Sequence, residues 1–205
     1  YRDDGYTYNY SQRLKPLTAY NSQTISSLTD MIDSIKEGGA TSADYGMQLA
    51  QSELDENGRQ DAQKVIIFFT DGEPNHSSGF NRDVANNAIS ASKALKDKKA
   101  IVYSIGVFAD ANPDNTSTSQ NNRFNAYMHG ISSNYPAATA WNSLGTEAEE
   151  LKYYKAASDA DQLNQIFEDI LTDVNTGSGF PTEIMQGYEP NKGGYVTFDD
   201  QLGAY

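Results

Sequence analysis

Two positions carry chemistry that their surroundings could put to use. Asp71 follows the run Lys64-Val65-Ile66-Ile67-Phe68-Phe69-Thr70 and precedes Gly72-Glu73-Pro74. A carboxylate just past a buried strand faces the region where ligands bind in parallel α/β sheets. The glycine beside it permits a tight turn, so Asp71 can meet a cation or serve as an ordinary turn aspartate. Thr41 follows Gly38-Gly39-Ala40 and opens a helix. Taken alone, its hydroxyl is expected to accept a backbone N–H as an N-cap. His76, near the Asp71 turn, reads as a solvated loop residue, and His129 has no local signature.

Other chemistries are poorly supplied. The chain has no cysteine and two histidines, which excludes disulfides and thiolate metal sites and argues against a multi-histidine zinc centre. A net charge of −13 argues against nucleic acid, since phosphate binding needs Lys and Arg. There is no apolar run of about 20 residues to span a bilayer. No Gly-x-Ser-x-Gly elbow positions a nucleophile, and no Gly-x-x-x-x-Gly-Lys-Ser/Thr loop is present to cradle phosphate. The expectation is a non-enzymatic module.

The elements that would hold Thr41 and Asp71 follow from periodicity. Ile25, Leu28, Ile32 and Ile35 predict a helix over about 25–36, capped by Ser22 or Thr24 and ended by Gly38-Gly39. A second helix starts at Thr41 or Ser42, with Tyr45, Met47, Leu49, Ala50 and Leu54 as a moderate apolar face, and closes at Asn57-Gly58. Residues 64–70 form the clearest strand, an unbroken apolar run expected to be buried on both faces. A helix near 83–96 and a strand over 100–108 complete a βαβ unit with parallel pairing. Residues 110–122 read as a polar loop, including Asn115-Thr116-Ser117-Thr118-Ser119. Then come a short helix near 123–131, an expected third strand over 151–156 and a helix over 159–174. Residues 1–21 are polar and Tyr-rich, a loop with at most a short strand. Gly177-Ser178-Gly179 reads as a linker, with strand-like runs after it at 182–185 and 194–198. The expected division is therefore 1–176 and 177–205.

The segment Gly38-Gly39-Ala40-Thr41-Ser42-Ala43-Asp44-Tyr45-Gly46-Met47-Gln48-Leu49-Ala50, the turn Phe69-Thr70-Asp71-Gly72-Glu73-Pro74 after its apolar strand, and the next strand Ile101-Val102-Tyr103-Ser104-Ile105-Gly106-Val107 together resemble the von Willebrand factor type A family, over roughly residues 14–173. The resemblance implies a Rossmann-like α/β fold with a mostly parallel sheet flanked by helices. It also implies a metal-ion-dependent adhesion site in which Thr41 and Asp71 are ligands of Mg²⁺, or of Mn²⁺ or Ca²⁺. Mg²⁺ favours oxygen ligands and keeps several waters, so a carboxylate from a protein partner can complete the shell. The family's Asp-x-Ser-x-Ser loop and the strand before it are not found in residues 1–40. They are expected from polypeptide outside these 205 residues.

Residues 194–205 resemble the start of the β-rich stalk domain that follows such modules in Gram-positive surface adhesins and pilus-tip proteins. The implied function is metal-dependent adhesion at a bacterial cell surface or pilus tip, to a matrix protein or host receptor. The alternatives are an A-type domain of an ATPase-coupled, chelatase-like complex, or a structural pilus or stalk segment with a degenerate metal site.

Overall fold

A computed structural model describes residues 2–3, 8–9, 15–19, 21–35 and 39–177. The chain divides into two compact units, residues 1–166 and 167–205; of the second, the described part is the C-terminal half of the last helix. The tail beyond residue 177, with its expected linker and strand-like runs, lies outside the described residues, as does Gly38.

Near the N-terminus, β1 (Arg2–Asp3) and β2 (Tyr8–Asn9) form a two-residue antiparallel pair. Helix α1 (Ser22–Asp33) starts from Asn21 rather than from Ser22 or Thr24. The Asn21 side chain accepts from the Thr24 N–H at 2.9 Å while Thr24 Oγ1 accepts from the Asn21 N–H at 2.9 Å. That reciprocal arrangement satisfies donors that have no helical partner. None of the residues of α1 is buried; Ile25, Leu28 and Ile32 all lie exposed along it.

Helix α2 (Ala43–Asn57) is followed by β3 (Val65–Thr70), α3 (Arg82–Asp97) and β4 (Ile101–Gly106). A 3₁₀ turn at Gln120–Asn122 leads into α4 (Arg123–Ile131), then β5 (Tyr154–Ala156) and α5 (Ala160–Gly177). The sheet runs β3-β4-β5 with all pairs parallel, Val65 opposite Ile101 and Ser104 opposite Tyr154. The α/β reading of the sequence is thus met, with a parallel sheet and a βαβ unit through α3.

The core lies where α2, α3 and α4 meet the sheet. On α3, Val84, Ala88, Ala91 and Leu95 recur at helical spacing and are buried, as are Ala85 and Ile89. Large side chains such as Ile89 and Leu95 each contribute about 1.5–3 kcal/mol through burial. Lys96 ties α3 to the end of α4: its Nζ donates to the carbonyls of Gly130, Ser132 and Tyr135 at 2.8–3.0 Å. A cation at the C-terminal end of a helix meets carbonyls that lack helical donors. Burial pushes the Lys96 ammonium down to about 7, with Lys93 acting in the same sense.

One expectation needs correction. β3 is not buried on both faces: Ile66 and Phe68 pack against the core, while Ile67 is 39% and Phe69 51% exposed. The physical reason is position. Among the described residues β3 is an edge strand, paired only with β4, and side chains alternate between faces along a strand. β4, with a neighbour on each side, is buried from Val102 to Gly106.

Candidate metal centre

The parallel sheet delivers Asp71 to its carboxyl end. Thr70 is the last residue of β3 and is buried, whereas Asp71 is exposed. Thr70 Oγ1 accepts from the Gly72 N–H at 3.2 Å and donates to the Gly72 carbonyl at 3.0 Å. The hydroxyl therefore closes the turn on itself and leaves Asp71 at its apex. The Val107 N–H donates to the Thr70 carbonyl at 2.9 Å, which fixes the turn to the end of β4.

Thr41 comes from a different element and arrives at the same place. A Cβ built on Gly72 would lie 2.8 Å from Thr41 Oγ1. The hydroxyl thus occupies the space that any larger residue at position 72 would fill. The Thr41 carbonyl accepts from Asn75 N–H at 2.9 Å and Ala43 N–H at 2.8 Å, so the backbone before α2 is bound to the loop after Asp71. The N-cap position of α2 falls to Ser42, which makes no side-chain capping bond. The simple capping role considered for Thr41 is therefore not what the structure displays.

A second clasp was not anticipated. Asp44, in the first turn of α2, is 2% exposed, and its Oδ1 lies 2.9 Å from His76 Nε2 and 3.0 Å from the Tyr45 N–H. The His76 ring stacks on Tyr45 with centroids 4.7 Å apart and planes 7° apart. His76 is thus a partly buried partner of a carboxylate rather than a solvated loop residue. The signal in the sequence was faint: an aspartate three residues after Thr41, set between Ala43 and Met47, both of which are buried.

Beneath these groups lies Tyr127, fully buried, whose hydroxyl finds no hydrogen-bond partner among the described residues. Its pKa is raised well above the ordinary tyrosine value, first by burial and then by the Asp44 carboxylate. Arg123 Nη2 pairs with Glu73 at 3.1 Å and lies over the Phe80 ring at 5.0 Å, which holds Glu73 to the start of α4.

The model of the von Willebrand factor type A domain matches residues 6–169. The chain belongs to the von Willebrand factor type A family. A search of curated proteins returns no match.

In this von Willebrand factor type A domain the donors near the Asp71 turn are a carboxylate and a hydroxyl, both hard oxygens suited to Mg²⁺ or Ca²⁺. Among the described residues, no group of three or more His, Cys, Asp or Glu is placed to hold a metal. By donor type, a carboxylate and a hydroxyl fit a hard cation as two of the several oxygen ligands such an ion takes. His129 is no part of this site. It is completely buried in α4, with Nδ1 3.0 Å from Asn134 Nδ2. Burial lowers its pKa to about 4, against an opposing effect of the backbone at Pro113 and Asn115. The Asn115–Ser119 segment is a polar loop, as expected, with the Asn115 side chain accepting from the Ser117 N–H at 3.2 Å.

Proposed function

We propose that this domain is a non-enzymatic, metal-dependent adhesion module that binds a protein partner through a divalent cation, Mg²⁺ or its substitutes Mn²⁺ and Ca²⁺. The observation that carries the reading is the approach of Thr41 Oγ1 to the Asp71-Gly72 turn, at the carboxyl end of a parallel strand. Asp71 would hold the cation through its carboxylate, directly or through a water, and Thr41 through its hydroxyl or a water. When bound, the cation supplies positive charge that a single carboxylate does not neutralise, so a partner's carboxylate is attracted into the remaining coordination positions. Gly72 leaves room for the hydroxyl, Thr70 holds the turn, and the Asn75–Thr41 and His76–Asp44 contacts keep the two donor segments together. The setting we propose is a bacterial cell surface or pilus tip, with a matrix protein or host receptor as ligand. Among the described residues, no helix is long and apolar enough to cross a membrane.

The open edge of β3 supports a second component. Ile67 and Phe69 are exposed and β3 pairs only with β4 among the described residues. An apolar unpaired edge is a template for a further strand. We assign that edge to a strand carrying the Asp-x-Ser-x-Ser ligands, from polypeptide outside these 205 residues.

The test is Asp71→Ala in the intact protein, read by ligand binding with and without Mg²⁺ and by the Mg²⁺-dependent rise in melting temperature. Loss of both is expected. Wild-type Mg²⁺-dependent binding in the variant would overturn the metal assignment. The strand assignment fails separately if the 205-residue chain alone is monomeric, melts cooperatively and binds Mg²⁺.

A further inference from the structure

Tyr127 and Asp44 each hold an unused hydrogen-bonding position in the same corner of the core. The Tyr127 hydroxyl is buried without a partner among the described residues. Its ring is fixed by Phe68 and Phe80, both edge-on with centroids 6.1 and 6.2 Å away, and by Phe124 at 6.2 Å. These rings offer the hydroxyl no strong acceptor, and a buried polar group left unmatched is costly. The charged group that acts on it is Asp44: after burial, that carboxylate is the next cause of the raised tyrosine pKa.

Asp44 has the complementary gap. A carboxylate offers about four acceptor sites on its two oxygens. Among the described residues, the hydrogen bonds it receives come from His76 Nε2 at 2.9 Å and the Tyr45 N–H at 3.0 Å, and both end on Oδ1. The His76 side chain is 24% exposed, the carboxylate 3%.

The chain around His76 is anchored on one side and open on the other. Before it, the Asn75 N–H is bound to the Thr41 carbonyl at 2.9 Å. After it come the exposed Ser77, Ser78 and Gly79, with Gly79 at a left-handed φ of 66° and open space where a Cβ would stand. His76 can therefore swing outward while Thr41 and the Asp71 turn stay joined. Its departure would leave a buried carboxylate with one backbone donor, which is unfavourable unless another donor meets it. The Tyr127 ring is held in the core, so the group that moves is the Asp44 side chain.

We propose that Tyr127 is the reserve donor of Asp44: when His76 withdraws from the carboxylate, the Tyr127 hydroxyl takes its place, and the loop after the Asp71 turn opens without stranding a buried charge. Tyr127 is then a positioning residue, which keeps the first turn of α2 seated beside Thr41 in both states. The exchange requires no cation, so it is tested in metal-free buffer and its failure is separate from that of the metal reading.

The experiment is a double-mutant cycle of Tyr127→Phe and His76→Ala in the intact protein, followed by thermal melts. With His76 present, Tyr127→Phe removes an unpartnered hydroxyl, so the melting temperature should hold or rise. In the His76→Ala background it removes the donor in use, and the melting temperature should fall by a further ~2–4 °C. The tyrosine ultraviolet spectrum should change between wild type and His76→Ala, and that change should vanish when both carry Tyr127→Phe. His76→Gln, which keeps a side-chain donor, should make Tyr127→Phe harmless again. An equal effect of Tyr127→Phe in both backgrounds, neutral or destabilising, would overturn the proposal, as would an unchanged tyrosine spectrum. So would a His76→Ala protein that does not fold, because the reserve donor should keep Asp44 paired.

Discussion

Gly72→Ala separates the geometry of the centre from the stability of the fold. A methyl at this position would lie 2.8 Å from Thr41 Oγ1 but 3.9 Å from Thr41 Cβ, where ordinary contact is 3.4–4 Å. Only the hydroxyl has to move. The Thr41 backbone is held by its bonds from Asn75 and Ala43, so rotation about χ1 is the easy response. An off-rotamer side chain costs about 0.5–1.5 kcal/mol, and Gly72 is not among the glycines with left-handed backbone. The variant should therefore melt within about 2–4 °C of the parent, as ~1 kcal/mol implies for a domain of this size. Cation affinity should fall far more, on the order of 10–100-fold, the loss usual when a group that orients a metal ligand is disturbed. Calorimetric Mg²⁺ titration and thermal melts of the intact protein read the two quantities separately. Thr41→Val should produce a similar loss, and the double variant should be little worse than either single one. If Gly72→Ala keeps wild-type Mg²⁺ affinity, the hydroxyl at that position is not a ligand and the reasoning fails.

Four other substitutions probe the rest of the fold. His129 is held neutral, with its folded pKa of about 4 below the ordinary 6.5, so the unfolded chain takes up a proton that the folded one refuses. Its stabilising share is complete above pH 6.5 and is lost as pH falls toward 4, about 3 kcal/mol in all at ~1.36 kcal/mol per unit; His129→Gln should flatten that part of a denaturation-versus-pH curve, and an unchanged slope would refute it. His76→Ala leaves the buried Asp44 carboxylate short of a donor, at a cost of about 1–3 kcal/mol. Adding Asp44→Asn should restore part of the loss in urea denaturation, and strict additivity would mean that the pair is not coupled. Lys99, the only non-glycine residue with positive φ among those described, at 66°, ends α3 in the left-handed region, so Lys99→Gly should raise stability by roughly 0.5–1 kcal/mol, and a lower melting point would count against that strain.

How much of this was legible in the chain depends on what each element answers to. The helix over residues 123–131 and the β3-α3-β4 unit were readable because their apolar spacing and their surroundings agree. The pairing of Thr41 with the Asp71 turn could be expected from family likeness, but the reason for the glycine at 72 could not, since it depends on a distance between segments 31 residues apart. Asp44 and His76 were missed for the same reason: each looks like a surface residue locally, and only packing of α2 against the turn buries the carboxylate. Tyr127 was equally silent. Its position on α4 marks it as core, but a hydroxyl buried near Asp44 is visible only in three dimensions. In α1 the case is reversed, for the sequence shows an apolar stripe that the described structure leaves uncovered.

That mismatch and the one in β3 point the same way. Val65-Ile66-Ile67-Phe68-Phe69 has the composition of a strand with both faces covered, yet Ile67 and Phe69 are 39% and 51% exposed, and Ile25, Leu28 and Ile32 are 42%, 45% and 56% exposed. Single exposed apolar residues need no explanation, but here alternate residues of one strand and successive turns of one helix are involved. Complete burial of such a side chain is worth about 1.5–3 kcal/mol, so covering the exposed half of Ile67 and Phe69 would contribute roughly 1.5–3 kcal/mol, an appreciable part of the ~5–15 kcal/mol that holds a typical domain together. A parallel strand laid along β3 would pair the edge that is open among the described residues and bring its own carboxyl end beside Asp71, because neighbouring parallel strands end on the same side of a sheet. Stability and a completed metal shell would then come from one event. A titrated polypeptide carrying that strand should therefore raise the melting temperature and the Mg²⁺ affinity together, at the same stoichiometry.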